Sequence, residues 1–145
     1  MMGFIAANLK LSLAPTPAAP TRARGAVSQW LLDHRSDRVR VEVALLLVTE
    51  LVTNSLRHAR IAAGDALVLN GRVDDAILRL ELWDAGTDGT VARRTRVRDD
   101  EIGGFGLDLV AQLSSAWGVE RDADGTTVWL ELAAPPPVSA VTPRA

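Results

Sequence analysis

The stretch "VEVALLLVTELVTNSLRHA", residues 41–59, is largely apolar in its first half and then places Glu50, Asn54, Arg57 and His58 within nine positions. At 100° per residue, Glu50, Asn54 and Arg57 fall in one narrow helical stripe with His58 at its margin. Val43, Leu46 and Leu47 continue that stripe toward the N-terminus, so it is not a plain solvent face. Burying an amide without a partner costs roughly 2–7 kcal/mol, and an unpaired carboxylate costs more. Glu50 and Asn54 therefore require partners in the folded or liganded state. A magnesium ion with its waters would satisfy both. Asparagine offers a neutral carbonyl oxygen to a hard cation, and a carboxylate one turn away can hold a coordinated water or take a proton from an attacking hydroxyl. Hydrogen bonding between helices is the other reading of the same pair.

Three further stretches have chemical potential. In "WDAGTDG", residues 83–89, Asp84 ends a strand-like run. A carboxylate there can accept a hydrogen bond from an exocyclic amine such as that of adenine, and Gly86 would let a flat ring approach the backbone. Asp-x-Gly after a strand is also an ordinary turn. In "GGFGLDLV", residues 103–110, a glycine-rich loop opens a helix. Its free N–H groups and the helix dipole suit a phosphate, although such termini also occur without ligands. In "GTTVWLEL", residues 125–132, paired threonines enter a strand, where their hydroxyls can reach a nucleobase or simply suit the β conformation.

These residues need elements to position them. "LKLSLA", residues 9–14, alternates with period two and is stopped by "PTPAAP", which predicts a short strand and a turn. Ala23, Ala26, Val27, Trp30 and Leu31 recur at helical spacing between Thr21 and His34. "HRSD" then breaks the pattern, with Ser36 as the expected N-cap of a second helix from about Asp37 to Ala59. "ALVLNGRV" and "AILRLELWD" read as a hairpin turning at Asp74 and Asp75, with Leu78, Leu80 and Leu82 on a buried face. Residues 85–104 follow neither period and carry Arg93, Arg94, Arg96 and Arg98, a long loop of the kind that is functional or mobile. "FGLDLVAQLSSA" predicts a third helix, "WGVERD" a strand, "DADG" a turn and "TTVWLELA" the closing strand. Blocks of helices and hairpins, rather than a strict βαβ series, predict an α+β two-layer sandwich: a mixed, mostly antiparallel sheet with helices on one face.

The chain has 145 residues, 48% of them hydrophobic, which suits one domain with a real core. We read residues 1–8 as a flexible N-terminus, 9–133 as the domain, and 134–145 as a disordered proline-rich tail. A net charge of −2 supplies no basic field for nucleic acid, and the absence of cysteine excludes disulfides and thiolate metal sites. No apolar run approaches the roughly 20 residues that span a bilayer, and the N-terminus lacks a basic n-region, so a soluble, cytoplasmic protein is expected.

The order and spacing of the four stretches resemble the Bergerat-type, histidine-kinase-like ATP-binding domain, and within it the anti-sigma factor serine/threonine kinases. "ELVTNSLRH" matches the N box, "DAG" the first glycine box, "GFGL" the second, and "GTTVWLEL" the final Gly-Thr-Thr before a strand. The resemblance covers about residues 9–133. It implies ATP and magnesium as cofactors, Asn54 as the metal ligand and Glu50 as general base. It also implies Asp84 on the adenine amine with Gly86 beside it, Gly104 and Gly106 on phosphate, and Thr126 supporting the adenine. Arg57, His58, Gly103, Phe105 and Leu107 complete the nucleotide-binding set, and residues 87–103 would form a lid.

One position departs from the pattern. Some kinase members carry an arginine two residues before the first glycine of Gly-x-Gly, where it neutralises charge on the terminal phosphate; this chain has Ile102 there. The resemblance therefore supports two functional expectations. One is a kinase that sequesters a sigma factor and phosphorylates a small antagonist protein, with a homodimer contact. The other is a nucleotide-gated protein-binding module without significant transfer chemistry.

Overall fold

The computed structural model describes residues 7–34, 36–58, 65–85 and 107–134. In chain order these form β1 (Ala7–Leu13), α1 (Ala19–Asp33), α2 (Arg38–His58), β2 (Leu67–Val73), β3 (Ile77–Asp84), α3 (Asp108–Leu113), β4 (Ala116–Arg121) and β5 (Thr126–Ala133). The five strands make one sheet in the order β1-β2-β3-β5-β4. Every pairing among the described strands is antiparallel, in line with the mostly antiparallel sheet expected from the sequence. The expected lid at 87–103 and the tail from 135 lie outside the described residues.

Alternation along each strand divides the sheet into two faces. Leu69 and Val73 of β2, Leu78, Leu80 and Leu82 of β3, and Leu130 and Leu132 of β5 are buried, and they meet Val27, Trp30 and Leu31 of α1 and Leu47, Val48 and Leu51 of α2 in one core. Each such side chain contributes about 1.5–3 kcal/mol when removed from water. The three described helices pack on this face. The other face is polar and centres on Arg79, whose guanidinium sits 4.4 Å from the centroid of the Trp129 ring. The same group pairs with Glu131 at 2.9 Å and Glu81 at 3.4 Å.

Local sequence explains most of the boundaries. β1 starts at Ala7 rather than Leu9, because Ala7 pairs with Val73 and extends the ladder. α1 begins with proline in its first turn, where a missing N–H costs nothing. Its Trp30 lies over Gly71 of β2, and a Cβ at Gly71 would come within 2.7 Å of that ring. Trp30 is therefore a core residue.

Other boundaries differ from expectation as well. The cap of α2 is Asp37, not Ser36: Asp37 Oδ1 accepts from the Arg40 N–H at 2.8 Å, satisfying a donor of the first turn. Asp37 also pairs with the Arg40 side chain at 3.3 Å, a second attraction that serine cannot offer. α3 stops at Leu113, short of the expected end at Ala116. The Ser114 hydroxyl bonds back to the Val110 carbonyl, and the Ser115 N–H donates to Glu131 at 2.7 Å, which takes the chain from helix into β4. Among the described residues no helix is long and apolar enough to cross a membrane.

Candidate functional site

The second helix presents two faces side by side. Ala44, Leu47, Val48, Leu51, Val52 and Ser55 are buried against the sheet and α1. Glu50 and Asn54 are half-buried, while Leu46 and Arg57 are exposed. The stripe of ionisable and amide groups thus runs along the margin of the buried face rather than through it. A helix placed this way fills the core with one side and lines the adjoining space with the other.

The sheet meets this helix at the C-terminal end of β3. Asp84 closes β3 and is 5% exposed. It pairs across the ladder with Thr126 of β5, which in turn pairs with Arg121 of β4. Directly opposed residues share a face of a sheet, so Asp84, Thr126 and Arg121 form one transverse row on the helix-covered side. From above, the Ser55 hydroxyl donates to Asp84 Oδ2 at 3.1 Å and joins α2 to this row. Asn54 is the neighbour of Ser55, and Glu50 lies one turn earlier.

Asn54 Oδ1 and Thr126 Oγ1 are among the buried polar atoms that lack a hydrogen-bond partner among the described residues. An unsatisfied buried acceptor or hydroxyl costs about 1–3 kcal/mol, a penalty that a ligand can remove. An amide oxygen suits a hard cation, and a hydroxyl suits a base edge or its bridging water. The residues present therefore fit a magnesium–nucleotide ligand. Among the described residues no group of three or more His, Cys, Asp or Glu forms a metal cage.

The turn between β4 and β5 braces the row. Asp122 Oδ1 accepts from the N–H groups of Asp124 at 2.7 Å and Gly125 at 3.0 Å, and Asp122 N–H donates to the Gly125 carbonyl at 3.0 Å. Gly125 lies against the end of β3, where a Cβ would meet the Asp84 main chain and come within 2.9 Å of Trp83 Nε1.

Of the residues expected from the sequence, Glu50, Asn54, Asp84 and Thr126 are placed at this end of the fold. Leu107 directs its side chain into the core, 2% exposed, which leaves its main chain as the part able to meet a ligand. Gly86, Gly103, Gly104, Phe105, Gly106 and the His58 side chain lie outside the described residues. Sequence reasoning missed Ser55 and Arg121. A small polar residue at the centre of an otherwise apolar stripe was the signal for Ser55. The tight Asp122–Gly125 turn, which sets Arg121 opposite Thr126, was the signal for Arg121.

The family model described as the histidine kinase-like ATPase domain matches residues 13–132. Among solved structures, the chain is similar to the RsbU and RsbW domains of Rv1364c from Mycobacterium tuberculosis, at 20% identity and a TM-score of 0.69, over 90% of this chain. The match takes in 33% of that chain, and at this identity the likeness is one of fold. No curated protein matches the chain.

Proposed function

Because this chain belongs to the histidine kinase-like ATPase domain family, we propose that it is an ATP-binding regulator of the anti-sigma factor type. In this reading it sequesters a sigma factor in the cytoplasm, as a homodimer, and phosphorylates a serine or threonine of an antagonist protein. The observation that carries the nucleotide site is the unpartnered Asn54 Oδ1 beside the Asp84–Thr126 row. The solved structure of similar fold includes an RsbW domain, which supports the regulatory class.

Asp84 accepts from the adenine amine, and Thr126 holds the base edge or its water. Asn54 Oδ1 would hold magnesium, which when bound neutralises charge on the phosphates. Glu50 takes the proton of the acceptor hydroxyl as its oxygen bonds to the γ-phosphorus. The bond from that phosphorus to the β–γ bridging oxygen breaks, and ADP leaves.

Ile102, standing where some kinases have arginine, favours the second reading, a nucleotide-gated binding module. Isothermal titration of ATP and ADP with magnesium into wild type, Asn54→Ala and Asp84→Asn tests the site. Binding that collapses in both variants supports it, and no binding to wild type at millimolar nucleotide rules it out.

A further inference from the structure

The side chain of Ser55 stands in the middle of the apolar face of α2, one turn after Leu51 and Val52, and is 5% exposed. A polar group there needs a partner, and Asp84 Oδ2 is that partner at 3.1 Å. The contact joins two elements far apart in sequence and involves two buried side chains.

The direction of the bond matters. The serine hydroxyl has one proton, and here it donates it to the carboxylate. Donation to a carboxylate favours its ionised form, in which it accepts hydrogen bonds and cannot donate them. It also restrains the rotation of the Asp84 side chain at the strand end. An ionised, oriented acceptor distinguishes nucleobases by what they present: an exocyclic amine donates to it, whereas a carbonyl oxygen is repelled. A protonated or freely rotating carboxyl would accommodate either.

Resting on the nucleotide-binding reading above, we propose that Ser55 is a positioning residue for base selection. Its hydroxyl holds the Asp84 carboxylate aimed as an acceptor, so that the site prefers a purine carrying an amine over one carrying a carbonyl at the recognised edge.

The test is titration of ATP and of GTP, each with magnesium, into wild type, Ser55→Ala, Ser55→Cys and Ser55→Thr, with a thermal unfolding curve for each. Alanine removes the donor, cysteine keeps similar bulk with a poor donor, and threonine keeps the hydroxyl. The expected result is an ATP-over-GTP preference that falls roughly tenfold in the alanine and cysteine variants. Threonine should restore most of it. An equal loss for both nucleotides, or an unchanged preference in folded alanine and cysteine variants, overturns the proposal while leaving the nucleotide site standing. Wild type that binds neither nucleotide overturns both.

Discussion

Gly125 and Asp84 are in such close contact that a side chain on the first would overlap the main chain of the second. The hairpin turn and the end of β3 are thereby locked together at the point where the candidate base-binding carboxylate leaves the sheet. The Asp84–Thr126 pairing lies next to this contact, since Thr126 follows the glycine directly.

Replacing Gly125 with alanine should push the turn away from β3. Overpacking of this kind costs about 1–3 kcal/mol. The expected outcome is a lower unfolding midpoint together with weaker ATP binding, measured by calorimetry on one preparation. Unchanged nucleotide affinity in a destabilised variant would mean that the turn does not position the site.

Removing the unpartnered amide should separate stability from function. In Asn54→Ala the buried oxygen without a hydrogen-bond partner is gone and a strong helix former takes its place. The nucleotide-free variant should unfold at the same temperature as wild type or higher, while magnesium–ATP binding is lost. A clear drop in unfolding temperature would show that Asn54 has a structural partner after all.

Glu50→Gln keeps size and helix propensity but removes the base. If transfer occurs, ATP should still bind and phosphorylation of a cognate antagonist should fall by about 10²–10⁴-fold. Undiminished transfer would remove Glu50 from that role.

Gly71 offers a control remote from the chemistry. A Cβ there would come 2.7 Å and 2.8 Å from atoms of the Trp30 ring. Gly71→Ala should lower stability by about 1–3 kcal/mol through overpacking in the core. In chemical denaturation the midpoint should shift, while nucleotide affinity of the folded protein stays near wild type.

Asp74 sets a small acid dependence. Its carboxylate accepts from the Ile77 and Ala76 N–H groups, each at 2.8 Å, and these bonds hold its pKa below the ordinary 3.8. A depressed folded pKa means that the contribution is present above about pH 3.8 and disappears as pH falls through the folded value. The difference in unfolding midpoint between wild type and Asp74→Ala should therefore be constant near neutrality and close below pH 3.8. A gap that persists at the lowest pH would assign it to something other than the ionised carboxylate.

Much of the fold was legible because burial repeats locally. β5 runs over the residues that the alternation of "TTVWLELA" marks, and the β2–β3 turn falls at Asp74 and Asp75 as the polar break between two apolar runs implies. Glu50 and Asn54 stood out because a greasy helix cannot bury such groups without a reason. Ends of elements were less legible, because Asp37 outcompetes Ser36 as a cap through a side-chain pair with Arg40 that only the folded turn creates. The sequence by itself thus determined which segments are helix or strand and which residue types need a ligand. Tertiary structure alone decided how α2 is rotated over the sheet and which residues face one another across it. Ser55 therefore meets Asp84, and Arg121 lines up with Thr126, through contacts between segments far apart in the chain, which no local periodicity encodes.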